Sequence, residues 1–259
     1  MEDQLVQVMI AVLISSLIAL RAYRKNSLDV SGAFAGFFVM AVHLSVNYRF
    51  GAMLLAFFFT SSKLTKMGED RKRTLDADFK EGGQRNWIQV LSNGGIASVL
   101  VIAFWGLTTS QDTCLDSKQS KIITALVGGL IGHYSCCNGD TWSSELGVLS
   151  DEQPRLITTF RPVRRGTNGG ITKAGLEAAA AAGRLAGSLI DSILGATLQF
   201  SGFCSVRNKV VSKPGPTVKR ISGLSILDNN GVNLVSGITT LSIHLELNKA
   251  SRHISEVSL

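Results

Sequence analysis

Two polar stretches lie beside long apolar segments, and their residue types could bind a phosphate group and a metal ion. The first is NGDTWSSELG over Asn138–Gly147, and the second is RPVRRGTNGGIT over Arg161–Thr172. Together they carry two carboxylates, two amides, three arginines and five glycines. Ionisable groups are costly within hydrocarbon, so those near membrane segments mark pathways or reaction centres. We therefore expect the functional site here.

The acidic residues of the first stretch are candidate catalytic residues and Mg²⁺ ligands. This ion prefers hard oxygen ligands and keeps bound water, so Asp140 and Glu145 with substrate phosphates would suffice. Residues five apart do not share a helix face. We therefore expect Asn138-Gly139 to break or end the preceding helix and let Asp140 reach across. The alternative makes Asp140 an N-cap, with Ser143 and Ser144 in the first turn of the next helix.

The glycines of the second stretch could let backbone amides converge on an anion, because glycine adopts conformations closed to other residues. Basic side chains flank them. A glycine-rich turn that only joins two helices has the same composition and is the alternative. The sequence contains no GxxxxGK[ST] string, which excludes a P-loop NTPase. The candidate phosphate-binding residues are Arg164, Arg165, Gly166, Thr167, Asn168, Gly169, Gly170 and Lys173.

A third polar element, ILDNNGVN, covers residues 226–233. If it is helical, a spacing of four brings Asn229 and Asn233 to one face, where amides could bind a nucleotide or a second metal. Hydrogen bonding to a neighbouring helix is the alternative. Asp228 is the third candidate catalytic carboxylate and metal ligand. Asp191 and Gln199 on the preceding segment could complete the polar centre.

Apolar runs of membrane length must position these groups. The chain has 259 residues, a mean hydropathy of +0.24 and only 17% charged residues, which is hydrophobic for a soluble protein of this length. Since roughly 20 apolar residues span a bilayer, we predict an all-α, polytopic transmembrane helix bundle with about six membrane segments. A soluble all-α protein is the alternative. The runs are Leu5–Leu20, Val30–Val46, Phe50–Thr60, Trp87–Leu107, Ile122–Cys137 and Ala174–Phe200.

Basic residues between the runs predict an orientation. Acidic residues precede the first run and basic residues follow it, so the positive-inside rule places the N-terminus outside. The loops near 63–85 and 140–173 are both basic and are then cytosolic, whereas 47–49 and 108–120 hold few basic residues. We predict one membrane domain over 1–247 and a polar tail over 248–259.

Composition also excludes several classes. The net charge of +7 lies in loops beside membrane segments and lacks the aromatic pattern of a nucleic-acid binder, so contact with the lipid bilayer explains it better. The four cysteines form no CxxC pair, and His43 and His133 are expected to be buried and hydrogen-bonded rather than catalytic. The acidic start disfavours a transit peptide, so we expect the endomembrane system or plasma membrane rather than the plastid.

The motifs resemble those of a known family. NGDTWSSELG, GTNGGIT, DSILGATLQ and ILDNNGVN, together with the GGQRN string at Gly82–Asn86, occur in the order found in the integral-membrane family of transmembrane protein 19 and the plant protein PGR. The strings LGATLQ and LDNNGVN are most similar to that branch. A related branch contains the phytyl-phosphate kinases, which convert a prenyl monophosphate to its diphosphate with a nucleoside triphosphate, CTP being expected.

The resemblance implies two functions. One is a CTP- and Mg²⁺-dependent phytyl or farnesyl phosphate kinase, and the other is a non-enzymatic carrier or a regulator of sugar or stress signalling. This sequence departs from the family pattern in two places, and the departures affect both implied functions. Only Lys173–Ile190 fills an interval in which the family has two spanning segments, and 237–259 is a polar tail where an apolar segment is expected. We therefore expect either a re-entrant hairpin at Ala174–Phe200 or a shortened isoform with an inverted last part.

Overall fold

The computed structural model describes residues 2–75, 79, 81–108, 120–181 and 185–239. Within these ranges the chain is mainly helical. The predicted polar tail at 248–259 lies outside the described residues. The helices are α1 (Glu2–Arg24), α2 (Val30–Val46), α3 (Tyr48–Lys66), α4 (Glu69–Leu75), α5 (Trp87–Thr108), α6 (Lys121–Leu149), α7 (Lys173–Ala181), α8 (Leu185–Leu198) and α9 (229–239), with a 3₁₀ turn at Glu81–Gly83.

Two small antiparallel sheets correct the all-α prediction. Strands β1 (Arg155–Leu156) and β2 (Gly170–Ile171) pair across the second polar stretch. Strands β3 (Ser201–Cys204), β4 (Lys209–Val211) and β5 (Val218–Ser222) form a sheet in the order β4-β3-β5. Both sheets lie in polar segments rich in glycine, proline and β-branched residues, where helical periodicity is absent.

The apolar runs form helices, but the prediction of six membrane segments is confirmed only in part. Two helical segments, Gln4–Arg24 and Trp87–Thr108, are long and apolar enough to cross a bilayer. Shorter apolar helices cover Val30–Val46 and Gly187–Leu198. At about 1.5 Å per residue, neither α7 nor α8 reaches the roughly 30 Å of a hydrocarbon core.

The first polar stretch lies within a helix, which corrects the prediction of a break at Asn138-Gly139. α6 continues without interruption to Leu149, so Asp140 and Glu145 are helical and Asp140 is not an N-cap. The region predicted as a loop from 140 therefore begins at Ser150. Helix α6 contacts α3, α5, α7 and α8, which makes it the central element of the bundle.

Aromatic and branched side chains from four helices form the core. Phe50 of α3 packs edge-on against Phe104 of α5, with ring centroids 5.0 Å apart. Tyr134 of α6 is buried against Phe57 of α3. Tyr134 also hydrogen-bonds His43 Nε2 of α2 at 2.7 Å. These contacts fix α2, α3, α5 and α6 around one another.

The chain entering α5 is held against the start of α2. The Asp29 amide donates to the Arg85 carbonyl at 3.1 Å, and the Arg85 amide donates to the Ser27 carbonyl at 3.1 Å. A Cβ at Gly32 would lie 2.0 Å from that Arg85 oxygen, so only glycine permits this approach. The backbone bridge places the Arg85 side chain at one end of the bundle.

The three-stranded sheet lies at that same end. Lys209 Nζ of β4 donates to the Arg73 carbonyl of α4 at 2.5 Å. Arg71 of α4 also donates to the carbonyl oxygens of Leu149 and Ser150, at 2.8 and 3.3 Å. The described residues of 63–85 therefore lie at the same end of the molecule as 150–172 and 201–222, which is the arrangement expected from the hairpin alternative for Ala174–Phe200. We call this the site end.

Candidate functional site

A polar cavity of about 620 Å³ opens at the site end. All the major polar motifs contribute to it. Helix α6 supplies Asp140 and Glu145, α8 supplies Asp191, and α9 supplies asparagines on one face. The polar lining also includes Thr65, Lys72, Gln84, Arg85, Gln89, Asn93, the loop at 165–170, Gln199 and Ser212.

Two carboxyl groups meet inside the cavity. The side chains of Asp140 and Asp191 lie within hydrogen-bond range of each other, and Asp191 also contacts the Ser236 side chain. No donor satisfies the buried Oδ1 of Asp191. Adjacent carboxylates repel unless a proton or a cation lies between them. The pair is therefore a natural position for a cation or a shared proton.

Glu145, predicted as a metal ligand, lines the cavity but already has protein partners. Its Oε2 lies 2.7 Å from Lys72 Nζ, and its Oε1 accepts a 2.7 Å hydrogen bond from Thr65. The charge of Glu145 is thereby compensated by the protein. Its interaction with Arg85 is also attractive, so Glu145 neutralises part of the basic wall of the cavity.

The glycine-rich loop packs tightly on α8. Gly166 and Gly169 have positive φ of 84° and 74°, and a Cβ at Gly169 would lie 2.4 Å from Ala196 Cβ. The Asn168 amide donates to Ser201 Oγ at 3.0 Å, and the Gly170 amide donates to the Thr167 carbonyl at 3.0 Å. These amides are thus occupied, but Thr167 Oγ1 is buried without a partner at the cavity wall.

The basic residues of the second stretch separate in space. Arg165 lines the cavity and donates to the Asp151 carbonyl at 2.6 Å. Arg164 is exposed and stacks over the Phe203 ring at 3.7 Å. Lys173 begins α7 as an exposed residue and does not line the cavity.

Residues 229–233 of the third polar element are helical, which is the condition under which the spacing of Asn229 and Asn233 brings them to one face. Asn229 and Asn233 of α9 both line the cavity. Asp228 does not, because its Oδ1 accepts the Gly231 amide at 2.8 Å in an N-cap arrangement. The carboxylates that meet are therefore Asp140 and Asp191, while Asp228 caps α9.

The structure adds Lys72 and Arg85 to the site, and it places Asp191 and Gln199 in the cavity lining as the sequence predicts. Asp191 was detectable as an acidic residue inside an apolar run, which is a strong signal for a functional group. Arg85 belongs to a polar stripe entering α5. Lys72 carries no such signal, since it lies among several basic residues of one loop. The rim is ordered by Arg71, whose hydrogen bond and positive charge lower the pKa of the exposed Asp151 carboxyl.

A small apolar groove adjoins the polar cavity. Its volume is about 60 Å³, and its walls come from α1, α2, α3 and α5. Phe57, Arg85, Gln89 and Asn93 line both the groove and the cavity. The groove and the cavity therefore share one wall, with charged groups on the cavity side and apolar groups on the groove side.

Both membrane histidines are buried and hydrogen-bonded, as predicted. His43 Nδ1 lies 2.7 Å from the Val39 carbonyl, and its Nε2 is bonded to Tyr134. His133 Nε2 lies 2.7 Å from the Asn93 carbonyl. Across the described part of the chain, no three His, Cys, Asp or Glu side chains gather closely enough to bind a metal by themselves.

Comparison with known proteins identifies the family. The model of a family described as integral membrane protein DUF92 matches residues 13–187 and 178–241. This chain belongs to the DUF92 family of integral membrane proteins. The DUF92 chain is 63% identical over 265 residues to Protein PGR of Arabidopsis thaliana, covering 89% of this chain and 92% of that protein. The resemblance to the PGR family seen in the motifs is therefore confirmed.

More distant relatives of this DUF92 protein occur in an archaeon and a cyanobacterium. Uncharacterized membrane protein MJ0933 of Methanocaldococcus jannaschii is 28% identical over 249 residues, covering 86% of this chain and 96% of that protein. Uncharacterized membrane protein sll0875 of Synechocystis is 28% identical over 174 residues, covering 66% and 63% of the two chains. No solved structure matches significantly.

The family match has two segments that overlap at 178–187. This overlap includes the end of α7 and the start of α8.

Proposed function

We propose that this DUF92 protein is a membrane-embedded kinase that transfers a phosphoryl group from a nucleoside triphosphate, CTP by family analogy, to a prenyl monophosphate such as phytyl or farnesyl phosphate. The observation that carries the proposal is the polar cavity, in which Asp140 and Asp191 face a wall containing Arg85 and Arg165. The endomembrane system or the plasma membrane is the proposed location.

The charge distribution suits a reaction between two anions. Phosphoryl transfer depends mainly on alignment and on cations that neutralise the phosphates. Arg85 and Arg165 supply positive charge at the cavity wall, while Glu145 is compensated by Lys72. The free hydroxyl of Thr167 and the amides of Asn229 and Asn233 add hydrogen-bonding groups for phosphate oxygens.

The carboxyl pair fits Mg²⁺ as a partner of the substrate phosphates. Asp140 and Asp191 offer hard oxygen donors, and the buried Asp191 Oδ1 has no donor of its own. Mg²⁺ commonly binds one or two carboxylates together with phosphates and water, so the pair suffices. When bound, the ion would neutralise charge on the transferring phosphate.

The chemical step needs little from the protein beyond charge and position. An oxygen of the prenyl monophosphate attacks the terminal phosphorus of the nucleotide, forming a P–O bond as the bond to the nucleoside diphosphate breaks. A phosphate monoester is largely dianionic at neutral pH because its second pKa is about 6. No general base is therefore required, and Arg85 and Arg165 orient the two anions.

The apolar groove supports a lipid substrate. Arg85 stands at the wall shared by the groove and the cavity, so a phosphate beside it would leave an attached hydrocarbon chain next to Val39, Leu54 and Phe58. Burial of apolar chain atoms contributes about 0.8 kcal/mol per methylene. An amphiphilic phosphate fits this arrangement better than a small soluble one.

Purified protein in detergent, assayed with radiolabelled CTP and farnesyl or phytyl phosphate, tests the proposal. We expect label to enter the lipid diphosphate, and we expect Asp140→Asn and Asp191→Asn each to reduce kcat by about 10²-fold or more. Asp151→Asn, at an exposed carboxylate outside the cavity lining, is the matched control and retains activity. Absence of nucleotide consumption with folded protein would reject the kinase and favour a carrier or regulator.

A further inference from the structure

The charged residues of the β3–β5 sheet and its flanking segments are all basic. Residues 192–227 contain Arg207, Lys209, Lys213, Lys219 and Arg220 and no acidic residue. The side chains of Arg207, Lys213, Lys219 and Arg220 are exposed, and within the described ranges none of these four pairs with a carboxylate. The inner edge of the sheet differs, because Val210 is buried and lines the polar cavity.

Exposed apolar side chains lie at the base of this sheet. Leu224 and Ile226 are 47% and 64% exposed, and their amides donate to the carbonyls of Thr197 and Leu198 at the end of α8. Ile193, one turn earlier in the apolar helix α8, is 47% exposed as well. An apolar outer surface therefore continues from α8 to the foot of the sheet, where the basic residues begin.

This order is the one found at a membrane boundary. Apolar groups face the hydrocarbon, and Lys and Arg lie at the headgroups, each contributing about 1 kcal/mol of attraction to an anionic surface. The turn between β3 and β4, at the end of the sheet away from α8, carries the exposed Arg207. The left-handed Asn208, with φ of 52°, holds this turn in a defined shape.

We propose that the exposed basic side chains of the β3–β5 sheet and its connecting turns, Arg207, Lys213, Lys219 and Arg220, bind anionic phospholipid headgroups of the bilayer that holds the protein. The sheet shares the site end with the basic segments at 63–85 and 150–172. Lipid attachment there would hold the cavity wall formed by Val210 and Val211 close to the headgroups. The proposal does not depend on kinase activity.

Hydrogen exchange in nanodiscs tests this surface. The full chain is placed in phosphatidylcholine discs with or without about 30% phosphatidylserine, and exchange is followed by mass spectrometry in peptides covering 205–217. We expect exchange about tenfold slower in the anionic discs at low salt, and loss of that difference at about 0.5 M NaCl.

Charge variants decide whether headgroup attraction causes the effect. The combined variant Arg207→Glu, Lys213→Glu, Lys219→Glu and Arg220→Glu should show equal exchange in both discs. The matched control replaces each Arg by Lys and each Lys by Arg at the same four positions. Its hydrogen exchange should remain slower in the anionic discs than in the neutral discs. If the Glu variant fails to fold, the variant Lys213→Gln with Arg220→Gln is used instead. In that variant the difference in the logarithm of the exchange rate between neutral and anionic discs should fall by about half.

Two results would overturn the proposal. One is equal exchange of the unsubstituted protein in neutral and anionic discs. The other is undiminished slowing in a folded charge variant, which would assign the effect to apolar contact. Slowing produced by an added acidic protein or by RNA, with no response to phosphatidylserine, would assign the surface to that partner and would likewise reject lipid binding.

Discussion

Lys72 Nζ lies 2.7 Å from Glu145 Oε2, and this ion pair joins α4 to α6 at the cavity wall. The Lys72 and Glu145 side chains are only 7% and 19% exposed. Lys72 also donates to the carbonyls of Leu64 and Thr65, at 2.8 and 3.0 Å, in the last turn of α3. The Lys72 ammonium group thus satisfies carbonyl groups at the end of α3 and neutralises the Glu145 carboxylate.

Lys72→Met should destabilise the protein by about 3 kcal/mol, because removing one partner leaves a buried charge uncompensated. Lys72→Met combined with Glu145→Gln should cost less than the sum of the single changes. Thermal unfolding in detergent measures both effects. The exposed Lys63→Met is the matched control and should change stability little. Additive costs would show that the ion pair is not coupled.

Gly169→Ala should destabilise the cavity loop by more than 1 kcal/mol, because alanine is strained at a φ of 74° and its Cβ would meet Ala196 at 2.4 Å. Gly106→Ala in α5 is the control, since nothing lies within 4 Å of its added Cβ. That change should stabilise the helix by roughly 0.5–1 kcal/mol. Similar melting temperatures for the two variants would contradict the loop packing described above.

Tyr134→Phe should destabilise the bundle by about 1–3 kcal/mol, because it removes the hydroxyl that hydrogen-bonds the buried His43 Nε2. Tyr48→Phe, at a residue that is 49% exposed, is the matched control and should be nearly neutral. Unfolding in detergent measures the difference. A neutral Tyr134→Phe would mean that the His43 ring finds another donor at no cost.

Cysteines at Thr158 and Lys213 should react with an impermeant thiol reagent from the same side of the membrane, because both positions lie at the site end. Tyr48→Cys, at the start of α3, should react from the opposite side. Sealed vesicles labelled before and after permeabilisation give the readout. Labelling of Lys213→Cys from the side of Tyr48→Cys would mean that α7 and α8 together cross the bilayer.

Gly94→Val should discriminate between long and short substrates if the apolar groove holds a lipid chain. A Cβ at Gly94 would lie 3.0 Å from Val39 Cγ1 in the groove wall. We expect kcat/KM for farnesyl phosphate to fall about tenfold relative to that for a five-carbon prenyl phosphate, since lost methylene contacts cost affinity. Gly106→Val, with open space around it, is the control. An unchanged ratio would remove the groove from substrate binding.

The helices and the polar motifs were readable from the sequence. Apolar runs such as Val30–Val46 coincide with α2, because hydrophobic patterning sets which residues leave water. Asn229 and Asn233 lie on one face of α9, as a spacing of four implies once the stretch is helical. In each case the signal is local, so neighbouring residues carry all the information needed.

Predictions from neighbouring residues were wrong where packing against distant segments determines the backbone conformation. Asn138-Gly139 suggested a helix break, yet α6 continues because it packs between α3, α5, α7 and α8. Gly32 likewise has a role that depends on a remote partner, the Arg85 carbonyl. Helix propensity is a weak prior, and packing overrides it.

By itself the sequence determined the membrane class, the family and the pool of polar residues available for chemistry. Only the tertiary structure decided that Asp191 joins Asp140 and that Lys72 compensates Glu145. The physical reason is that electrostatic pairing depends on separations of a few ångströms. Such separations between residues 50 or 70 positions apart are set by how helices pack, which no local pattern encodes.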